Sequence, residues 1–420
     1  MKSARFGIAI LCLACLPMVA LAQESRSIGA DPQLPAPFAT PSVKNTPDTT
    51  PFHEGAELWT APGLAVNRFA EGLDSPRNAI VLPNGDVLVA EAKTERKNED
   101  PSFVDKGANR ILLLRDKDGD GRADERHVLI GGLQQPYGMA LIGDRLYIAN
   151  ANGVFWTPYR QGQSTIPDDA PRTWITRFDP TGYNNHWTRN LLASRDGRTL
   201  FIAVGSASNV GEFGMAKEER RAAILAIDLV TGSERIFADG LRNPVGMDIE
   251  PVTGQLWTSV NERDELGDDL VPDYITSVRD GGFYGWPYSY WGKHPDPRLK
   301  GQRPDLVAKS ITPDFAVGAH ASALGIAFGA SSSLPARYRS GAFVARHGSW
   351  NRSELLGYDV VFVPFAGGKA VGPLEKVLTG FTDQPGHVHG RPRSLAVARD
   401  GALLVVDDKG GTIWRLSAAR

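Results

Sequence analysis

The chain has 420 residues, of which 22% are charged and 42% hydrophobic, and its formal net charge is −2 at pH 7. This near-neutral balance gives no indication of binding to nucleic acid or to a membrane surface, since both partners attract strongly basic proteins. No stretch reaches the length of apolar sequence that a membrane helix needs, so we expect no membrane insertion.

The N-terminus has the layout of a secretory signal peptide. A basic start is followed by an apolar run over residues 6–19 and by the small-residue sequence Ala20-Leu21-Ala22. We therefore expect residues 1–22 to be removed and the mature protein to be periplasmic or secreted. Because Cys12 and Cys15 both lie in this segment, we expect no disulfide and no thiolate chemistry in the mature chain.

Two further regions are indicated by composition. Residues 23–57 are rich in Pro, Thr, Ser and Asp and contain few large apolar side chains. Such a segment cannot bury enough apolar surface to order itself, so we expect a flexible leader. Residues 58–420 exceed the usual size of a single core, but radial repeat folds of this length form one unit.

The region after the leader predicts an all-β fold. Short aliphatic and β-branched runs are separated by turn sequences, and a sustained helical period is missing. Hairpin turns are indicated at Asn84-Gly85, Asp196-Gly197, Thr253-Gly254 and Asp400-Gly401. The strand Leu64–Ala70 is expected to pair with the last strands of the chain and remove an open edge.

Six polar clusters lead into strands at intervals of roughly 50 to 80 residues. They are Ser75–Asn78, Gln135–Gly138, His186–Asn190, Arg242–Gly246, His320–Gly325 and Arg391–Ser394. This spacing fits a six-bladed β-propeller with four-stranded antiparallel blades. The innermost strands of a propeller all begin at one face of the central channel, so we expect the six clusters to converge there.

That convergence would collect basic side chains in one place. Several arginines and histidines in one channel would repel each other unless an anionic ligand or acidic partners lay among them. Arg391 and Arg393 are two residues apart on a strand, so both side chains point the same way and suit a compound with several carboxylates. The alternative is that each arginine only braces its own blade.

The segment Arg346–Arg352 contains His347, Trp350, Asn351 and Arg352 within seven residues. This mixture suits stacking on, and hydrogen bonding to, a planar anionic ring system. Alternatively, Trp350 belongs to the core and the remaining residues form a surface turn.

Two acidic stretches are candidates for metal binding or for a position near the channel mouth. Asp116, Asp118, Asp120 and Asp124 have the spacing of a calcium loop, with Gly121 at the sharp turn. The twelfth position holds a histidine instead of the usual glutamate, so a structural calcium is expected; a solvated acidic turn is the alternative. The second stretch, residues 261–269, follows the fourth innermost hairpin and is expected at the channel mouth.

Taken in chain order, these features resemble the soluble sugar dehydrogenases that depend on pyrroloquinoline quinone (PQQ), and among them the L-sorbosone dehydrogenase-like branch. The most specific matches are His186 ahead of a strand, the pair Arg242-Asn243, the sequence Asn261–Asp264 with the later Gly281–Pro287, and Gly390–Arg393. The resemblance covers residue 63 to the C-terminus.

The resemblance implies roles for individual residues. His186 would be the general base, Arg242 would contact the quinone and steady the developing oxyanion, and Asn243 would also contact the cofactor. Further contacts to PQQ would come from Arg77, His347, Trp350, Asn351, Arg352, Arg391 and Arg393. A catalytic calcium would be held partly by main-chain carbonyls in the loop at Arg263 and Asp264.

The implied reaction is oxidation of a sugar or sugar-derived aldehyde, an aldose or a sorbosone-like compound, by hydride transfer to PQQ. It also implies an electron acceptor of unknown identity, for example a periplasmic cytochrome. Glucose-oxidising members have Asp where this chain has Asn185 and Ser206, so oxidation of glucose itself is not assumed. The alternatives are a calcium-dependent lactonase and a propeller that binds a glycan or protein without catalysis.

Overall fold

The computed structural model describes residues 27–52, 57–96, 103–105, 107–179, 184–384 and 386–419. Within these ranges the chain consists mainly of short antiparallel strands grouped into six principal sheets, which confirms the predicted all-β, six-bladed propeller. The expected signal peptide, including Cys12 and Cys15, lies outside the described residues. No helix in the described ranges is long and apolar enough to cross a membrane.

Each principal sheet is one blade. In blades 1 to 5 the four main strands pair in chain order apart from short insertions, and blade 6 takes its outermost strand from the start of the domain. Blade 1 comprises Pro76–Val81, Val87–Glu91, Arg110–Arg115 and Glu125–Ile130. Blade 2 comprises Met139–Ile142, Arg145–Asn150, Gly153–Pro158 and Thr173–Arg177. Blade 3 comprises Arg189–Ala193, Thr199–Val204, Ala223–Asp228 and Glu234–Asp239. Blade 4 comprises Pro244–Ile249, Leu256–Val260, Pro272–Ser277 and Phe315–Ala319. Blade 5 comprises Ala323–Phe328, Gly341–Arg346, Asp359–Ala366 and Glu375–Thr379. Blade 6 comprises Pro392–Val397, Leu403–Asp407, Thr412–Ala418 and Leu64–Ala70.

Shorter elements extend the blades or connect them. The additional strands are Ile28–Gly29, Asp48–Thr49, Trp59–Thr60, Thr94–Arg96, Phe103–Asp105, Gly282–Phe283, Ser289–Tyr290, His294–Pro295, Lys369–Ala370, Thr382–Gln384 and His387–Val388. Among the described residues, one short α-helix spans Pro304–Lys309, and 3-10 turns span Met215–Glu218, Pro297–Leu299, Gly329–Ser331 and Ala336–Arg339.

The ring is closed by pairing the two ends of the propeller domain, as predicted. Strand Leu64–Ala70 is antiparallel to Thr412–Ala418, with Leu64 opposite Ala418 and Ala70 opposite Ile413. Blade 6 is therefore built from both ends of the domain, and the strand Leu64–Ala70 covers the edge of Thr412–Ala418.

The core lies between the blades. Successive side chains of a strand point to opposite faces, so Val87 and Val89 pack towards blade 6, whereas Leu88 and Ala90 pack towards blade 2. An apolar cluster of this kind separates every neighbouring pair of blades. This packing fixes the orientation of each innermost strand and brings the residues before these strands to one end of the channel.

The segment after the expected signal peptide, predicted from its composition to be a flexible leader, pairs with the propeller at two places. Ile28–Gly29 adds a fifth strand to blade 4, with Ile28 opposite Val317, and Asp48–Thr49 pairs with His387–Val388. The segment has little core of its own, and main-chain hydrogen bonds connect it to the propeller.

Candidate active site

A cavity of about 380 Å³ lies at the end of the channel where the innermost strands begin. Residues from blades 1, 3, 4, 5 and 6 contribute to its wall. The structure brings together here Arg77, His186, Arg242, Asn243, Asp264, His347, Trp350, Arg391 and Arg393. The fold thus gathers side chains that are distant in sequence into one pocket.

His186 is held in one tautomer by the segment after the second strand of blade 3. Its Nδ1 lies 2.8 Å from the main-chain oxygen of Ser206 and 3.0 Å from the Ser206 hydroxyl oxygen, which itself donates to the Ser208 carbonyl at 2.7 Å. A carbonyl oxygen only accepts, so Nδ1 carries the proton. The Nε2 lone pair makes no hydrogen bond to any described residue and is available as a base.

The environment keeps this imidazole neutral. Burial, followed by the positive charge of Arg242, lowers the pKa of His186 well below 6.5. The wall beside the ring is closely packed, because a side chain at Gly205 would overlap both Asn243 Oδ1 and the His186 Cβ. Glycine at this position is what allows His186 and Asn243 to lie next to each other.

Arg242 is fixed by the loop that follows the second strand of blade 4. It donates to the Glu262 carbonyl at 2.6 Å, to Asn209 Oδ1 at 3.0 Å and to Asp264 Oδ2 at 3.1 Å. The other oxygen of Asp264 lies 3.4 Å from His320 Nδ1. Burial opposes ionisation of Asp264, but His320 and Arg242 outweigh it and hold the pKa of this carboxyl below 3.8.

Asp408 joins the basic residues on the opposite side of the cavity. Its carboxylate lies 2.7 Å from Arg77 Nη1, 3.3 Å from Arg393 Nη1 and 2.9 Å from His347 Nε2. Burial lowers the pKa of His347 to about 4 despite this partner. The sequence reasoning missed Asp408, although its position directly after a buried innermost hairpin is a signal that could have been used.

Arg391 and Arg393 are braced only in part. Arg391 donates to the Tyr358 hydroxyl at 2.9 Å, and Arg393 lies 5.5 Å from the centre of the Tyr137 ring. The Nε of Arg393 and the amide oxygen of Asn243 are buried and have no hydrogen-bond partner among the described residues. Buried polar groups of this kind normally have a partner, so a ligand or water molecule is expected here.

The charges around the cavity do not cancel. Asp264 and Asp408 partly compensate the guanidinium groups of Arg77, Arg242, Arg391 and Arg393. The acidic partners considered as an alternative from the sequence are therefore present, but they are fewer than the arginines. The remaining positive potential favours a ligand with several negative charges.

Three predicted site residues have other partners and do not line this cavity. Asn351 binds the main chain of residues 43 and 265, and Arg352 binds the main-chain oxygen of Asp268. Arg263 is fully buried, and its guanidinium group contacts Glu262 and Asp296. Asn351 and Arg352 satisfy main-chain groups of neighbouring loops, and Arg352 also pairs with the Asp269 carboxylate, whereas Arg263 satisfies buried carboxylates. Their geometry therefore indicates roles in holding the loops.

The acidic loop in blade 1 lies between its third and fourth strands, away from the cavity. Asp116, Asp118 and Asp120 can each direct one carboxylate oxygen to a common point, since these atoms lie within 4.8 Å of one another. Asp124 is not part of this group; its carboxylate accepts the Lys117 main-chain N–H at 2.6 Å and closes the loop.

The fold and the site define a six-bladed propeller with a basic cavity and a neutral histidine at one end of its channel. The sequence model of the TrAA12-like family matches residues 58–272 and 304–419, and the chain belongs to this family.

Two curated relatives and one solved structure show how far the similarity extends. The chain is 26% identical over 269 residues to a PQQ-dependent sugar dehydrogenase of Hypocrea jecorina, covering 57% of this chain and 59% of that protein. It is 26% identical over 353 residues to a PQQ-dependent pyranose dehydrogenase of Coprinopsis cinerea, covering 73% of this chain but only 45% of that protein. The calcium structure of a Trichoderma reesei carbohydrate-active enzyme of family AA12 superposes with a TM-score of 0.72 at 21% identity, covering 87% and 98% of the two chains.

Proposed function

We propose that this protein is a PQQ-dependent oxidoreductase that oxidises a sugar or a sugar-derived aldehyde. The observation that carries the proposal is the cavity in which four arginines surround a histidine whose Nε2 lone pair is available. The names of the two relatives support the same cofactor and a sugar substrate. Because the chain spans about half the length of these relatives, the activity of the whole protein is part of the proposal.

The residues at the cavity fit PQQ, which is planar and carries several carboxylates. Arg391 and Arg393 would bind carboxylates, and the buried Nε of Arg393 has no other partner among the described residues. The indole of Trp350 in the cavity wall would stack on the ring system. Asn243 would supply a polar contact close to His186.

When bound, PQQ supplies the hydride acceptor. Nε2 of His186 accepts the proton from a hydroxyl of the sugar or hydrated aldehyde. Nδ1 keeps its own proton, which it donates in the hydrogen bond to the Ser206 carbonyl. Arg242 is fixed by Glu262 and Asp264, so its charge is already in place to stabilise a developing oxyanion. Burial of the imidazole keeps it in the neutral form that can act as a base.

Two calcium sites belong to the proposal. A catalytic calcium, which would polarise the quinone, would be held partly by main-chain carbonyls in the loop of Arg263 and Asp264, because calcium prefers oxygen ligands. A structural calcium would be bound by Asp116, Asp118 and Asp120. Export to the periplasm or medium and transfer of electrons to a separate acceptor, for example a cytochrome, are proposed on the same basis.

The test is reconstitution of the purified apoprotein with PQQ and calcium. Binding should raise the melting temperature, since a ligand at a hundredfold excess over its dissociation constant stabilises the folded state by ~2.7 kcal/mol. Dye reduction should then be measured across a panel of aldoses and aldehydes. A melting temperature that does not move at saturating PQQ and calcium would rule out the cofactor assignment.

A further inference from the structure

Three segments interlock at the mouth of the cavity. One is residues 38–50, here called the N-terminal strap, and the others are the loops 264–269 and 349–353. The strap crosses the propeller between blade 4, where residue 28 pairs, and the short strand at residues 387–388 beside blade 6. It therefore passes over the connections of the blades that carry much of the cavity wall.

Asn351 fastens the strap to both loops. Its amide nitrogen donates to the Val43 carbonyl at 2.8 Å and to the Ser42 hydroxyl at 3.0 Å, and its amide oxygen accepts the Glu265 N–H at 2.8 Å. The side chain is only 3% exposed, so water competes poorly for these bonds. All three of these hydrogen bonds connect the amide to the strap or to the loop that carries Asp264.

A second set of bonds is centred on Asp268. Its main-chain N–H donates to the Thr40 hydroxyl at 2.7 Å, and its carbonyl accepts from Arg352 at 2.6 Å. The Asp268 carboxylate accepts from the Ser353 N–H at 2.9 Å. A Cβ at Gly267 would lie 3.0 Å from the Thr40 hydroxyl oxygen, so the loop and the strap are in close contact.

The interlocked residues are neighbours of cavity residues. Glu265 directly follows Asp264, and Asn351 directly follows Trp350. The strap also holds Trp350 directly, because the Asn45 N–H donates to the Trp350 carbonyl at 2.7 Å. A shift of the strap is therefore transmitted to both cavity residues through one peptide unit.

We propose that the N-terminal strap is a positioning element of the active site, which holds Asp264 and Trp350 where they meet the cofactor. This inference rests on the proposed function. It differs from a purely stabilising role, because the strap is fastened mainly by exposed or half-buried polar residues and contributes little to the clusters between the blades. Loss of its side-chain bonds should loosen the two loops while the propeller stays folded.

The Asn45 side chain also donates to the Ser353 carbonyl at 2.9 Å. The test uses the triple variant Thr40→Val/Ser42→Ala/Asn45→Ala, which removes the side-chain hydrogen bonds of the strap to the loops. The matched control is Thr46→Val/Thr49→Val, because both threonines are exposed and neither side chain hydrogen-bonds a described residue. Ser42→Ala alone is a milder variant at an exposed position. Thr40→Ser keeps the hydroxyl and should behave like the parent.

Two measurements are needed. In apoprotein, amide exchange at Glu265 and Asp268 should be about tenfold faster in the triple variant than in the parent or control, because each lost bond shifts local opening only modestly. In the presence of calcium, the dissociation constant for PQQ should rise about tenfold, mainly through faster dissociation. The melting temperature of the apoprotein should change little.

The outcomes separate the two proposals. Parental exchange at both amides, or parental PQQ affinity in the triple variant, would overturn the positioning role. A parent protein that binds no PQQ would overturn the proposed function, and the exchange rates alone would then decide whether the strap holds the loops. If the triple variant fails to fold, Ser42→Ala decides on the same two measurements.

Discussion

The ring nitrogen Nδ1 of His186 lies 2.8 Å from the main-chain oxygen of Ser206, and this pairing fixes which nitrogen can act as a base. A carboxylate in the same position would hold the same tautomer but would also attract a second proton to the ring. The Ser206 carbonyl orients the ring but carries no negative charge that would favour the second proton. The imidazole is therefore oriented, neutral and only weakly basic.

We expect His186→Gln to bind PQQ and calcium like the parent and to lose oxidation of every substrate that the parent accepts. Removing a positioned base typically costs ~10²- to 10⁴-fold in rate. The measurement is single-turnover reduction of the cofactor, together with a separate titration of PQQ binding.

The controls are His320→Ala and His347→Ala. Both ring nitrogens of His320 already have partners, Asp264 and the Gly267 carbonyl, and His347 Nε2 faces Asp408. The two substitutions should therefore affect PQQ binding or the position of neighbouring residues more than proton transfer. Parental single-turnover rates in His186→Gln, with loss in either control, would show that the base is assigned to the wrong residue.

The pH dependence follows from the lowered pKa of His186. In the proposed mechanism His186 works as a base only when neutral, and burial with Arg242 keeps it neutral at and above pH 6.5, the ordinary histidine value. We expect kcat/KM to be flat there and to fall only at more acidic pH. Ser206→Asp should raise the pKa of His186 and move the acidic limb of the profile upward by about one unit or more.

Ser206→Ala is the control for this experiment. It removes the hydroxyl but keeps the main-chain oxygen that accepts from Nδ1, so the acidic limb should stay close to that of the parent. An identical profile for all three proteins would mean that His186 does not set the pH dependence.

The convergence of these side chains on one cavity could be predicted from the sequence, because it depends only on the repeat of strands. Once six strand–turn–strand units are recognised, the position of His186 and Arg391 before an innermost strand places them at the same end of the channel. Residues in loops could not be placed in this way. Asn351 directly follows Trp350, yet its amide binds the N-terminal strap and the loop at Glu265, and these partners are far away in the sequence.

The double variant Arg391→Ala/Arg393→Ala should weaken PQQ binding strongly without unfolding the blade. Neither side chain is needed for strand pairing, and Arg77 remains as a partner for the buried Asp408. Isothermal titration with PQQ in calcium is the measurement. Arg399→Ala is the matched control, because this exposed arginine lies in the turn at the other end of the same innermost strand. Parental affinity in the double variant would show that the two arginines are braces.

The pairing of the segment after the expected signal peptide could not be predicted from its composition. Composition measures how much apolar surface a segment can bury by itself, and residues 27–52 bury little. It does not measure the hydrogen bonds offered by a partner surface, such as the unpaired edge of blade 4 that Ile28 and Gly29 complete.

The acidic loop of blade 1 provides the last prediction. If Asp116, Asp118 and Asp120 bind a structural calcium, the parent should melt several degrees higher in calcium than in chelator. Asp118→Asn/Asp120→Asn should lose most of that difference, because both carboxylates leave the ligand set while the hairpin remains paired. Turnover per folded molecule should stay near the parental value, since the loop is remote from the cavity.

Asp168→Asn/Asp169→Asn makes the same change of charge at two exposed residues of another blade and should melt like the parent. Equal responses of the loop variant and the parent to calcium would identify the loop as a solvated turn.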